Sequence, residues 1–172
     1  RLSKIDPNYF KEIYEHMYDR FSSFYSGTEI EKHNLIRVDS TIVSDTCVKL
    51  KEGIDQKSGK KLVKFSFSFD GILPSGVEVF NGQKYSSEES ALPEAILNHT
   101  FKEADHRNIY VIDRGLQSTR AMKDFDEKSI KFIIRSKENR KFDELESFLE
   151  AKNVQKWDDW KVVKDSKVKL YT

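Results

Sequence analysis

Cysteine, proline and glycine are scarce in this chain of 172 residues, which has one, three and seven of them. The single cysteine, Cys47, excludes an internal disulfide and fits a reducing compartment. With no histidine or second cysteine near it in the sequence, Cys47 is most simply a small buried or half-buried residue. The chain therefore has to be held together by its core.

Long hydrophobic runs are also absent. No apolar run approaches the roughly 20 residues that a membrane span needs, and no signal peptide heads the chain. We therefore expect a cytoplasmic protein with no membrane partner. Because the first residue is Arg1, we also expect a piece of a longer protein. A sugar- or phosphate-processing α/β enzyme is disfavoured, since neither a glycine-rich phosphate loop nor a nucleophile elbow occurs.

Net charge is close to zero, at +1, but its distribution is uneven. Residues 128–141 hold six basic side chains against one acidic side chain, Glu138. A basic patch of this kind can bind phosphates. A solvated surface is the alternative interpretation.

Hydrophobic spacing predicts a mixed α/β protein. The predicted elements, in chain order, are a helix at 6–25 with a core-facing aromatic stripe, three strands (NLIRVDSTIVSD, LVKFSFSFD, VEVFNG), a helix (SSEESALPEAILNHTF), a buried strand at 109–112, a helix (TRAMKDF) capped by Ser118, a buried strand (KFIIR) and a charged helix at 138–151. The first three strands alternate and have short connections, so we expect them to be antiparallel. The later two are uniformly apolar and separated by helices, which is typical of parallel strands. The sequence predicts a mixed sheet with helices on both faces.

Two acids fall on strands that such a sheet would place side by side. Asp39 lies in the first strand, and Asp113 ends the strand at 109–112. If these strands are parallel neighbours, both carboxylates lie near one edge, where α/β sheets bind ligands. Two adjacent carboxylates disfavour each other's charge, and Mg²⁺ removes that cost by taking both as ligands. An acid after a strand is often only a helix or turn cap, and this alternative applies to each acid taken alone.

The segments LIRVDST, GVEVFNGQKYSSEESALPE, IYVIDRG and KFIIRSKENRKF together resemble the catalytic domain of DDE-type insertion-sequence transposases. This is the bacterial group whose third catalytic acid lies in a Tyr-Arg-Glu-Lys motif. The resemblance runs from about residue 30 to 145. It implies a ribonuclease H-like fold in which Asp39 and Asp113 are the first two acids of the catalytic triad and bind Mg²⁺, with Mn²⁺ as a substitute.

The resemblance also implies a division of the chain and a set of partners. Residues 1–30 would be a helical segment packing on the core, 31–151 the ribonuclease H-like core, and 152–172 the truncated start of a β-rich insertion. Transposon ends and target DNA would be the partners, with a homodimer in the synaptic complex, in the bacterial cytoplasm and on the nucleoid. By charge and position, the expected phosphate contacts are Arg114, Arg135, Lys137 and Arg140.

The third acid departs from the pattern of this group. No Tyr-Arg-Glu-Lys motif occurs in the chain, so we expect the catalytic Glu beyond Thr172 and no activity from these residues alone. Related enzymes with a compact spacing would place it near Glu144, Glu146 or Glu150.

Three functions remain open at this point. The first is metal-dependent DNA cleavage and strand transfer by a transposase core. The second is a ribonuclease H-like nuclease of another specificity, which fold alone cannot separate from the first. The third is a non-catalytic DNA-binding or assembly fragment.

Overall fold

The computed structural model describes residues 6–25, 33–44, 52–71, 73–137, 139–147, 156–157, 160–161 and 166–170. Its elements are α1 (Pro7–Tyr25), β1 (Asn34–Ser44), β2 (Ile54–Asp55), β3 (Lys61–Phe69), β4 (Pro74–Phe80), a 3₁₀ turn (Gln83–Tyr85), α2 (Glu88–Lys102), β5 (Asn108–Ile112), α3 (Thr119–Glu127), β6 (Lys131–Ile134), β7 (Phe142–Ser147), β8 (Lys156–Trp157), β9 (Trp160–Lys161) and β10 (Ser166–Leu170). Cys47 and Glu150 lie outside the described residues.

Six strands form one mixed sheet in the order β2-β3-β1-β5-β6, with β4 also paired to β3. The pairs β1–β3, β2–β3 and β3–β4 are antiparallel, whereas β1–β5 and β5–β6 are parallel. The prediction of both parallel and antiparallel strands is confirmed. The prediction that β1 and β5 are neighbours is also confirmed. The predicted count of strands omitted β2, two residues inside a segment that reads as a turn. This arrangement of a mixed sheet and three helices is compatible with a ribonuclease H-like fold.

The core lies on one face of the sheet, beneath α2 and α3. Its fully buried side chains come from both layers, with Ile36, Val38, Tyr110 and Ile112 from the sheet and Leu92, Ile96, Leu116 and Phe125 from the helices and the loop before α3. Burying one such side chain contributes about 1.5–3 kcal/mol to folding. On the opposite face Leu35, Val79 and Ile133 are 45–54% exposed. Helices on both faces are therefore not confirmed.

Strand β3 shows that alternation predicts faces better than it predicts burial. Phe65, Phe67 and Phe69 share one face, as predicted, but Lys64, Ser66 and Ser68 occupy the buried one. The polar face is covered because α2 lies on it, with the small residues Ala91 and Ala95 fully buried. The Ser66 hydroxyl is satisfied by Ser40 (Oγ–Oγ 2.6 Å), and the Lys64 ammonium by the Glu88 carboxylate (Nζ–Oε1 3.0 Å).

Helix α1 forms where the sequence predicts it, but its aromatic stripe does not face the core. Tyr14 donates a hydrogen bond to the carbonyl of Pro74, and Tyr18 donates one to Asp70 (2.8 Å). Four apolar residues of the same helix are 41–50% exposed: Phe10, Ile13, Met17 and Phe21. Polar contacts to the β4 end of the sheet set the rotation of this helix, and hydropathy alone does not reveal them.

The predicted helix at 138–151 is wrong over its described part, because Phe142–Ser147 is strand β7. It pairs antiparallel with β10. Three cross-strand pairs match well: Lys167 with Glu146, Lys169 with Asp143, and Leu170 with Phe142. Opposite charges and apolar pairs across a ladder stabilise a sheet by about 0.2–1 kcal/mol each. These long-range pairs override the helical appearance of the local sequence.

No helix in the described part of the chain is both long and apolar enough to cross a membrane.

Candidate metal and nucleic-acid site

The register between β1 and β5 brings the two predicted acids together. The parallel ladder runs from Asn34 opposite Asn108 to Val38 opposite Ile112. The next residue on each strand is Asp39 and Asp113. Neighbouring strands lie about 4.8 Å apart, so Asp39, inside β1, and Asp113, just after β5, lie side by side.

Both acids also lie on the same face. Val38 and Ile112 point into the core, at 3% and 2% exposure. Because successive side chains of a strand alternate, Asp39 and Asp113 point the other way, and both are exposed. The alternation therefore places the two acids on the same face and at the same level of β1 and β5.

Hydrogen bonds at the opposite end of the strands hold this register. The Asn34 amide donates to Asn108 Oδ1 (3.2 Å) and to Asp105 Oδ2 (3.2 Å), and the Asn34 backbone N–H donates to the Arg107 carbonyl (3.0 Å). Asp105 is in turn held by the Arg107 guanidinium (2.6 Å), and hydrogen bonds from Arg107 lower the pKa of this carboxyl to about 2. The charged Asp105 anchors the turn that starts β5.

The two carboxylates have capacity for a cation. Asp39 Oδ1 accepts a hydrogen bond from the Ser40 backbone N–H (2.8 Å). The Asp113 carboxylate makes no hydrogen bond or ion pair with any described residue. Paired carboxylate oxygens are the ligands that Mg²⁺ takes from proteins, with water and phosphate completing its shell. No cluster of three or more metal-binding side chains occurs within the described ranges.

One predicted phosphate contact lies in line with the acids. The β5–β6 register ends with Ile112 opposite Ile134. Arg135, the first residue after β6, therefore lies level with Asp113. Its backbone N–H donates to the Ile112 carbonyl (3.4 Å). Asp39, within β1, and Asp113 and Arg135, just after β5 and β6, thus form a row at one level of three neighbouring strands.

The other predicted contacts are brought to this row by a residue that sequence reasoning missed. Gln117 Nε2 donates to the carbonyls of Arg114 (3.2 Å) and Arg135 (3.1 Å). Gln117 Oε1 accepts from the Lys137 backbone N–H (3.4 Å) and from Arg140 Nη1 (3.1 Å). One amide therefore connects the loop after β5 with the loop after β6. Nothing in the local sequence marks Gln117, since its partners lie up to 23 residues away; only the pairing of β5 with β6 makes them neighbours.

The loop before α3 is further fixed by α2. The Glu89 carboxylate accepts from the backbone N–H groups of Gln117 (2.7 Å) and Ser118 (2.8 Å). Ser118 caps α3, as predicted, through Oγ accepting from the Ala121 N–H (3.2 Å). The segment after Asp113 is thus tied to two helices and to β6.

The described compact-spacing candidates for a third acid do not lie on the predicted helix. Glu144 and Glu146 lie on β7, opposite Val168 and Lys167 of β10, in a separate two-stranded sheet. Glu150 lies outside the described residues. Within the described part of the chain, Asp39 and Asp113 stand as a pair.

Comparison with known proteins yields little. No protein-family model and no curated protein matches the chain. One similar solved structure is a piggyBac transposase synaptic complex with hairpin DNA, studied by cryo-EM. The similarity has a TM-score of 0.40 and 12% identity, and covers 64% of this chain. The chain spans 24% of that transposase chain.

Proposed function

We propose that this chain carries the first two acids of a metal-dependent polynucleotidyl transferase core of the DDE type, acting in DNA transposition. The observation that carries the proposal is the β1–β5 register, which leads to Asp39 and Asp113 side by side on one exposed face. Two acids brought to one level by strands far apart in sequence are hard to explain as separate turn caps. The bacterial insertion-sequence group with the Tyr-Arg-Glu-Lys motif is the family we propose.

Asp39 and Asp113 would hold a divalent ion, Mg²⁺ or Mn²⁺, which would polarise a phosphodiester and lower the pKa of a bound water or 3′-hydroxyl. The protein's own part is positional. Asp39 and Asp113 would hold the ion between β1 and β5, and Arg135, level with Asp113, would contact the phosphate that the ion binds. Arg114, Lys137 and Arg140 lie on the two loops that Gln117 joins, where the DNA backbone would pass.

Cleavage by this mechanism needs more anionic ligands than the pair provides. Two carboxylates hold one ion, while two-metal phosphoryl transfer needs a second ion held across the leaving oxygen. We therefore expect these 172 residues to bind one ion and not to nick DNA. The third acid of the proposed family, a Glu, would restore nicking when supplied by a longer chain.

Isothermal titration with Mn²⁺ tests the proposal directly. The wild type should bind one ion, and Asp39→Asn and Asp113→Asn should each reduce the affinity at least tenfold. Asp126→Asn, an exposed acid on α3, is the matched control and should leave binding unchanged. Binding that survives both substitutions in the pair would remove the metal site and the transposase proposal with it.

A ribonuclease H-like nuclease is the second candidate, because the same pair of acids on the same sheet would serve it equally well. Product analysis of a longer chain separates the two. Joining of a 3′-hydroxyl to a new DNA strand supports the transposase, whereas cleavage confined to RNA–DNA hybrids supports the nuclease.

A further inference from the structure

A groove beside the acid pair is lined by cations that pair with no described carboxylate. It has a volume of about 450 Å³ and runs between the start of α3 and the loop after β6. Its lining includes Gln117, Thr119, Arg120, Lys137 and Arg140. None of the three cations forms an ion pair within the described ranges, unlike Lys123 and Lys128 farther along α3, which pair with Glu127 and Asp124.

Gln117 lines this groove and is hydrogen-bonded to the loops that follow β5 and β6. All four hydrogen-bonding positions of its amide are used, two as donor to carbonyls and two as acceptor from N–H groups. The amide orientation follows from the chemistry of its partners, because a carbonyl oxygen cannot accept from Oε1 and a guanidinium cannot donate to Nε2. Gln117 is therefore held in one rotamer and holds both loops in turn.

The consequence for Arg140 is specific. Its Nη1 donates to Gln117 Oε1 (3.1 Å), and its Nη2 lies 4.0 Å from the Met122 sulfur. A neutral amide orients the guanidinium, and no carboxylate among the described residues compensates its positive charge. A carboxylate in the same place would orient it equally well and remove its attraction for phosphate.

Glu89 of α2 contacts the loop before α3 but forms no ion pair with a described groove cation. Both oxygens of Glu89 accept backbone N–H bonds from Gln117 and Ser118. Its charge is therefore directed at the start of α3 and away from Arg140. Arg120 also lines a neighbouring cavity with Glu89, Asp124 and Glu127, but it forms no ion pair with a described acid, so the groove keeps its positive charge.

We propose that this groove binds a backbone phosphate of the polynucleotide, with Arg120 as an additional phosphate contact and Gln117 as the positioning residue for Arg140. The inference rests on the proposed function and names the path of the substrate strand past the acids. Gln117 touches no phosphate itself. It acts by fixing the position of the groove cations relative to Asp113. Gln117 does this through its hydrogen bonds to the carbonyls of Arg114 and Arg135.

The test is the salt dependence of duplex DNA binding, measured by fluorescence anisotropy over a range of salt concentrations. Each phosphate contact contributes about 0.9 to the slope of log affinity against log salt. Arg120→Ala and Arg140→Ala should each reduce the slope by about that amount. Gln117→Ala should reduce it as Arg140→Ala does, and the double variant Gln117→Ala/Arg140→Ala should match Arg140→Ala alone.

Two controls separate positioning from general damage. Gln83→Ala removes a glutamine whose side chain also accepts a backbone N–H, from Asp55 (2.8 Å), at the far edge of the sheet; it should leave the slope unchanged. Gln117→Glu keeps an acceptor for Arg140 but compensates its charge, so it should reduce the slope. Its thermal midpoint should be no lower than that of Gln117→Ala.

If the wild type shows a steep salt dependence and Arg120→Ala and Arg140→Ala show the same slope, the groove does not bind phosphate. That result would leave the proposal for the acid pair intact. Additive losses in the double variant would overturn the positioning role of Gln117. Inorganic phosphate is the second probe: protection of the arginine side-chain N–H signals by phosphate but not by duplex DNA would make the groove a free-anion site and overturn the polynucleotide assignment. Loss of Mn²⁺ binding to the pair, by contrast, tests the proposed function alone.

Discussion

Asp39 and Asp113 lie at the same level of two parallel neighbouring strands, one residue beyond the pair of Val38 and Ile112. Both carboxylates are exposed on the face opposite the core. Like charges directly opposite each other on a sheet repel. Under the proposed function, a bound cation would relieve this repulsion.

Neutralising one acid should stabilise the protein in the absence of metal. In EDTA, Asp39→Asn and Asp113→Asn should each raise the free energy of unfolding, by about 0.2–1 kcal/mol, because each removes the same repulsion. With Mn²⁺ added, the order should reverse, since only the wild type gains from binding. Urea denaturation under both conditions measures the effect. A variant that is less stable than the wild type in EDTA would show that the pair does not repel.

The register of the acids depends on Asn34 at the other end of the strands. Asn34→Ala removes its hydrogen bonds to Asp105 and Asn108 and should cost about 1 kcal/mol of stability. It should also weaken Mn²⁺ binding, although Asn34 lies five residues from Asp39. Asn98→Ala is the control, since the Asn98 amide donates only to Glu78, and should leave Mn²⁺ affinity unchanged. Equal affinities in both variants would mean that the register is set elsewhere.

Stability should fall as the pH falls from 7.5 to 5.5 because of His99. Burial lowers the pKa of this imidazole, and the charge of Lys102 lowers it further, against opposing effects of Asp70 and Glu78. Since the folded pKa lies below the unfolded value near 6.5, the stabilisation is complete above that value and is lost as the pH falls through it toward the folded pKa. The ring lies between Ser75 Oγ (Nε2, 2.9 Å) and Tyr110 Oη (Nδ1, 3.0 Å).

The comparison of wild type with His99→Gln isolates this group. Urea denaturation at several pH values should give a flatter profile for the variant. Glu103 works in the opposite direction, since burial raises the pKa of its carboxyl and protonation then favours the folded state, but it contributes equally to both proteins. Parallel profiles would remove His99 as the source of acid sensitivity.

The buried pair Lys64–Glu88 should show strong non-additivity. Glu88→Ala leaves the Lys64 ammonium, only 3% exposed, without its counter-charge. Removing one partner of a buried pair costs about 3–5 kcal/mol, and because Glu88 is 35% exposed we expect about 1–3 kcal/mol here. The double variant Lys64→Met/Glu88→Ala should recover much of this loss. Thermal denaturation of the three variants measures it, and simple additivity would mean that water already solvates Lys64.

Sequence reasoning reached the acids because their signal is local. A buried strand that ends in Asp113, and an acid within a β-branched strand at Asp39, are visible without any contact information. The parallel neighbouring of their strands followed from pattern and connection length. The faces of β3 followed from alternation, although the covering of its polar face by α2 did not.

The features that sequence reasoning missed all depend on distant partners. Strand β7 exists because β10 supplies matching charges opposite it. The rotation of α1 is set by Tyr14 and Tyr18 reaching Pro74 and Asp70, which the apolar spacing of the helix does not reveal. Gln117 gains its role only when β6 lies beside β5.

Localised cleavage by Fe²⁺ tests the central claim, a shared divalent ion between Asp39 and Asp113, most directly. Fe²⁺ bound in place of Mg²⁺ generates hydroxyl radicals with ascorbate and peroxide, and these cut the nearby backbone. We expect cuts near both residue 39 and residue 113, and excess Mg²⁺ should suppress them. Either Asp39→Asn or Asp113→Asn should abolish the cuts at both positions. Asp126→Asn should be cut like the wild type. Cuts at one position that persist when the other acid is replaced, or no cuts at either, would contradict it.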